Sequence, residues 1–217
     1  MSAKERLLLQ LQKEGVTDER VLDALWRVPR ERFVPQHLQH RAYENIALPI
    51  ASDQTISQPY VVARMAQALR LTSDDHVLEV GTGSGYGAAI LAQLAHDVVT
   101  IELRPELSGP AEVRLRDLAY SNIRCVVGDG SKGWSALGPY DAIALTAATP
   151  SVSPSQWEQL SEQGGRLVAP VGDLNEQRLL IFRRSPGHLD CRSLGSVRFV
   201  PLLGVAGFNI LDPARMN

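Results

Sequence analysis

Val77-Leu78-Glu79-Val80-Gly81-Thr82-Gly83-Ser84-Gly85-Tyr86 runs from a short apolar stretch straight into three alternating glycines, and then into a segment of helical spacing. The pattern reads as a buried strand, a tight turn and a helix. Glycine accepts the positive φ such a turn demands and lets backbone approach a ligand, while unpaired N–H groups at the helix start can face it. A strand-to-helix turn needs only a glycine or two. Three at alternate positions favour a bound ligand.

Outward from this turn, short apolar runs alternate with amphipathic segments, the signature of a parallel sheet with crossover helices. Strands are expected at 76–80, 98–102, 123–127, 142–145 and 166–171, with helices at 86–94, 105–120 and 154–163. Residues 178–184 and 195–200 read as a closing antiparallel pair. Before the sheet, Thr17 looks like the N-cap of a helix over 18–27, with Val16 and Val21 as a hydrophobic staple. That helix must end before Pro29. After a polar stretch, Val61, Val62, Met65 and Leu69 recur at helical spacing. The chain is thus expected to be one α/β domain over 1–217, with an N-terminal cap and loop at 1–70 and a core with C-terminal antiparallel strands at 71–217.

Composition agrees with a globular chain: 217 residues, 44% apolar, 21% charged, net charge −2. No apolar run approaches a bilayer span, and no cleavage site follows an apolar core near Met1, so no membrane partner and a cytoplasmic address are expected. The charge offers no footprint for nucleic acid, and the pairs Arg30/Arg32 and Arg183/Arg184 are too short to make one. Cys125 and Cys191 lack metal or disulfide spacing and read as small buried hydrophobes. The histidines show no ligand spacing beyond His37/His40, so no metal is expected.

Two frames fit the glycine turn. Gly83 to Ala88 satisfies the loose dinucleotide pattern G-x-G-x-x-A. Counted from Gly81, which directly follows the strand, Tyr86 is too bulky for the third dinucleotide position, and the methyltransferase frame G-x-G-x-G fits better. Glu102, ending the second strand, can accept both hydroxyls of an adenosine ribose. Asp129-Gly130 follows the third strand, where an adenine contact or an ordinary turn is equally natural. Ser57, two positions before Pro59, reads on its own as a helix N-cap.

Taken together, Thr55-Ile56-Ser57-Gln58-Pro59, the 77–86 turn, Gly128-Asp129-Gly130, the 164–172 run Gly-Gly-Arg-Leu-Val-Ala-Pro-Val-Gly and Val197-Arg198-Phe199-Val200-Pro201-Leu202 resemble the protein-L-isoaspartate O-methyltransferases over about residues 10–204. The resemblance implies a Rossmann-like class I methyltransferase fold, a mixed sheet with helices on both faces and a helical cap. It implies S-adenosyl-L-methionine as cofactor, S-adenosyl-L-homocysteine as product, and isoaspartyl-containing proteins and peptides as partners; a monomer is expected, although the sequence itself does not reveal the oligomeric state. Ser57 is implied as the catalytic residue, against the capping reading. Cofactor contacts are implied at Gln54, Thr55, Ile56, Ser57, Gly81, Thr82, Gly83, Ser84, Gly85, Glu102, Leu103, Asp129 and Gly130, and substrate contacts at Thr55, Ser57, Phe199, Val200 and Pro201.

Three departures stand out. Asp53 places a charge where the family has a small or neutral residue. Gly109-Pro110 interrupts the helix after the second strand, which is expected to start late, near Pro110. Gly87 replaces a longer side chain. A methyltransferase acting on a dedicated peptide, a noncatalytic cofactor-binding module and a nicotinamide oxidoreductase stay open as alternatives.

Overall fold

The computed structural model describes residues 1–208; the rest of the expected domain, 209–217, lies outside the described residues. Two helices open the chain, α1 (Ala3–Lys13) and α2 (Glu19–Arg27). A small hairpin of β1 (Leu48–Pro49) and β2 (Thr55–Ile56) then leads into α3 (Pro59–Leu69). The core follows as β3 (His76–Val80), α4 (Tyr86–Ala92), β4 (Asp97–Glu102), α5 (Pro105–Asp117), β5 (Ile123–Val127), β6 (Ala142–Leu145), α6 (Pro154–Trp157), β7 (Arg166–Gly172), β8 (Gln177–Ser185) and β9 (His188–Val197).

The sheet order is β5-β4-β3-β6-β7-β8-β9, parallel through β7 and antiparallel beyond. Alternate side chains divide between its faces. Val77, Val98, Ala142 and Val168 pack with α2, α3 and α4, whereas Leu78, Val99, Ile143 and Leu167 fill the opposite face with Leu160 and Leu202. Strand order reverses beside β3, whose neighbours are β4 and β6. A crevice opens at the C-terminal ends of strands at such a reversal, and the glycine turn lies there. Among the described residues, no helix is long and apolar enough to cross a membrane.

Several elements differ from expectation. Asp18, not Thr17, caps α2, its carboxylate accepting from the Arg20 N–H at 3.0 Å; the Thr17 N–H goes to the Gln67 side chain instead. Helix α5 starts at Pro105 and carries Pro110 inside it. The preceding residue is Gly109, with no Cβ to meet the proline ring and open space beside it. Strand β9 begins at His188 and ends at Val197, earlier than expected, because it is an edge strand with little of it buried. Helix α6 stops at Trp157, since the chain must turn for Ser161 to donate its N–H to the Tyr140 carbonyl at 2.7 Å. Cys191 is exposed rather than buried; Cys125 is partly covered, and burial pushes its thiol up to about 11.

Candidate active site

The turn after β3 is built for close backbone approach. Gly81 has φ +104, and a Cβ there would strike the Thr146 hydroxyl. That hydroxyl contacts the carbonyls of Val80 (2.9 Å) and Gly81 (2.6 Å), so the end of β6 holds the turn. From α5, Arg114 donates to the Ser84 carbonyl at 2.8 Å. The result is a rigid loop over the crevice.

Around it, one cavity is lined by Gln54, Thr55, Ile56 and Ser57 from the hairpin, by Gly81 to Ser84, by Glu102 and Leu103, and by Gly130, Val200 and Pro201. Gly85, Asp129 and Phe199 are not among its lining residues. A Cβ on Gly85 would lie 3.3 Å from Leu115, so this glycine serves packing against α5. Asp129 spends one carboxylate oxygen on the Ser131 N–H (2.8 Å) and the other on the Val205 N–H (2.9 Å). Burial opposes its charge, but these hydrogen bonds hold its carboxyl below the usual range. It anchors the 204–205 loop.

Glu102 meets the requirement for a diol acceptor. Its Oε2 accepts the Gly83 N–H at 2.9 Å and its Oε1 the Arg104 N–H at 3.1 Å, which fixes the carboxylate while each oxygen keeps a lone pair for a ligand hydroxyl. The donor set and the glycine turn therefore fit an adenosine-bearing cofactor.

Ser57 does not cap α3. The cap position is Gln58, and the orphan Tyr60 N–H is taken by the Asn45 side chain at 3.0 Å. A residue fifteen positions before Tyr60, arriving through the tertiary fold, has displaced the local candidate. Among the described residues, the Ser57 hydroxyl has no hydrogen-bond partner, and it lines two cavities at once. The second is a cleft between α3 and the 194–200 segment, lined also by Asn45, Tyr60, Thr146, Phe199 and Val200. Phe199 is held there by the buried Gln177, which accepts its N–H at 2.7 Å and donates to its carbonyl at 3.3 Å. Thr55, Ser57, Thr146 and Val200 are common to both cavities, so the two meet at these residues.

Asp53 sits at the hairpin tip. Ser52 and Asp53 have φ +58 and +55, the mark of a type I′ turn, in which aspartate is tolerated. Its side chain is exposed and lines neither cavity.

The sequence reading overlooked Glu79. It is 1% exposed inside β3 and lines the first cavity. Burial above all pushes its carboxyl up to about 8, helped by the nearby Glu102 and opposed by a 2.6 Å hydrogen bond from the Thr100 hydroxyl. A side chain at Gly87 would collide with this carboxyl, so the glycine departure makes room for it. An acid within an otherwise apolar strand was the available signal.

Fold and site together define a class I S-adenosylmethionine-dependent methyltransferase. A model of the protein-L-isoaspartate(D-aspartate) O-methyltransferase family matches residues 2–207. Relatives named protein-L-isoaspartate O-methyltransferase include one from Serratia proteamaculans, 50% identical over 92% of this chain and 95% of its own, and one from Herpetosiphon aurantiacus, 48% identical over 92% and 88%. A solved protein-L-isoaspartate O-methyltransferase superposes with a TM-score of 0.83 at 29% identity, covering 94% of this chain and 67% of that one. A Plasmodium falciparum structure in complex with S-adenosyl-L-homocysteine gives 0.79 at 22% identity, covering 94% and 99%, which speaks for the fold alone. The chain belongs to the protein-L-isoaspartate(D-aspartate) O-methyltransferase family.

Proposed function

We propose that the chain transfers a methyl group from S-adenosyl-L-methionine to the free α-carboxylate of L-isoaspartyl residues in proteins and peptides, starting their repair through a succinimide. The observation that carries this reading is the meeting of a cofactor-type cavity with an open cleft at Thr55, Ser57, Thr146 and Val200. None of these four residues titrates. A carboxylate acceptor asks for no base, because with a pKa near 4 it is already an anion at neutral pH. The bound cofactor supplies a methyl group activated by its sulfonium.

The protein's part is alignment. Glu102 would hold the ribose, Gly81 to Ser84 would face the cofactor with backbone, and the Gln54 to Ser57 segment would cover it. The Ser57 hydroxyl, with no partner of its own, would donate to the acceptor carboxylate and turn it toward the methyl. Orientation of this kind is worth roughly 7–11 kcal/mol in well-aligned reactions. Thr146 already contacts two backbone carbonyls and shapes the junction rather than binding the acceptor. A monomer working in the cytoplasm belongs to the proposal.

The test is radiolabelled methyl transfer to an isoaspartyl peptide and its aspartyl twin near pH 6, where the ester survives. Labelling of the isoaspartyl peptide alone is expected. An isoaspartyl linkage puts its free carboxylate one methylene closer to the backbone, and a misplacement of about 1 Å can cost on the order of a hundredfold in rate. Equal labelling of both peptides would reject the repair reading.

A further inference from the structure

The acceptor cleft does not end at Ser57. It follows α3 past Tyr60 to Arg64, and Arg64 and Leu194 also line a neighbouring cleft of about 570 Å³. This second cleft lies between α3 and one face of the β8–β9 hairpin, where Ile181 stands opposite Arg192 and Arg183 opposite Asp190. Four arginines from three parts of the chain line it: Arg64, Arg70, Arg183 and Arg192. Among the described residues, none of the four enters an ion pair. Two acids share the cleft. Asp18 is committed to Arg20 at 2.7 Å, and the exposed Asp190 contacts the His188 ring at 2.9 Å. The surplus of positive charge is local, in a chain whose net charge is −2.

We propose that this cleft extends the acceptor groove and binds acidic side chains of the polypeptide flanking the isoaspartyl residue. The inference rests on the acceptor reading of the Thr55, Ser57 and Phe199 cleft. Continuity through Arg64 and Leu194 places the two along one path, and four unpaired guanidiniums match carboxylates in charge and in fork geometry. Helix rise sets the reach. At about 1.5 Å per residue, Arg64 lies on the order of 10 Å along the helix from Ser57, and Arg70 on the order of 20 Å. An extended peptide advances about 3.3 Å per residue, so the acids that profit sit about three to six residues from the isoaspartyl.

Isoaspartyl peptides carrying two glutamates at those separations, on either side, are compared with glutamine counterparts in the full-length enzyme, by KM and kcat for methyl transfer. The acidic peptide from one side should show a KM roughly five- to tenfold lower at low salt, with kcat unchanged and the gap closing as salt rises. The Arg183→Gln/Arg192→Gln variant, both changes on an exposed face and its folding checked by thermal melting, should lose the preference while keeping the parent KM for the glutamine peptide. Equal KM values in the parent, or a preference that survives in the variant, would overturn the inference. So would competition by a short oligonucleotide without any peptide preference, which would assign the cleft to nucleic acid. No labelling of any peptide would fail the acceptor reading itself, a result separate from these.

Discussion

The guanidinium of Arg30 lies 4.8 Å over the ring of Tyr86, the first residue of α4 after the glycine turn. Arg30 is fully buried in the cap, and its other contacts are carbonyls: Nε donates to Ala42 at 2.9 Å and Nη2 to Ile46 at 3.3 Å. Nη1 has no partner. Burial lowers the arginine's pKa, and the Tyr86 side chain partly offsets this. The cap is thereby tied to the helix that follows the glycine turn. Arg30→Ala would strip the buried Ala42 carbonyl and the part-buried Ile46 carbonyl of their donor and remove a desolvated cation–π contact. A loss of about 2–4 kcal/mol is expected in urea unfolding. A variant within half of that lower bound would mean the cap does not lean on this contact.

Glu102→Ala should weaken cofactor binding by about 1.5–3 kcal/mol, the range for hydrogen bonds to a charged group. Calorimetry with S-adenosyl-L-homocysteine measures it. Because the same carboxylate also holds the Gly83 and Arg104 N–H groups, the melting temperature should fall too. Unchanged affinity in the folded variant would remove Glu102 from the ribose position.

Ser57→Ala separates two roles in one protein. Loss of a real N-cap costs about 0.5–2 kcal/mol, but here Asn45 fills that place, so stability should be unchanged. Turnover should fall on the order of tenfold or more, about 1.4 kcal/mol in barrier, with cofactor affinity kept. Near-normal kcat would show that Ser57 does not orient the acceptor.

What could be read from the residues depended on how local the cause was. Strands β3 and β6 fall where expected because parallel strands buried on both faces show as largely apolar runs, and the half-exposed edge strand β5 does so on its run Cys125-Val126-Val127. Edge strand β9 did not, since His188-Leu189-Asp190-Cys191-Arg192 carries no such run. Glu102 lines the cavity beside the glycine turn, whereas Asp129 stands outside its lining and holds the Val205 N–H, a contact 76 residues along the chain that no local pattern announces. Asn45 reaching Tyr60, and Arg64 lining one cleft with Arg192, are arrangements made by the sheet and its cap. Neither spacing hints at them.

Glu79 offers the sharpest pH test. Its folded pKa is raised to about 8, against an ordinary unfolded value near 4.3. Below about pH 4 both states hold the proton and its contribution is fully present. Between there and pH 8 the folded protein keeps a proton that the unfolded chain has lost, so stability declines as pH rises, by on the order of 1 kcal/mol per unit. Carboxyls held low, such as Asp18 and Asp129, act in the opposite sense and at lower pH. Comparing the parent with Glu79→Gln cancels those shared titrations, because the amide stays neutral and can still meet the Thr100 hydroxyl. Urea unfolding of both proteins at several pH values from 5 to 8 should therefore show the variant gaining on the parent steadily across the range. A constant difference would mean that Glu79 ionises normally inside the fold, and that water or the open cavity solvates it despite its burial.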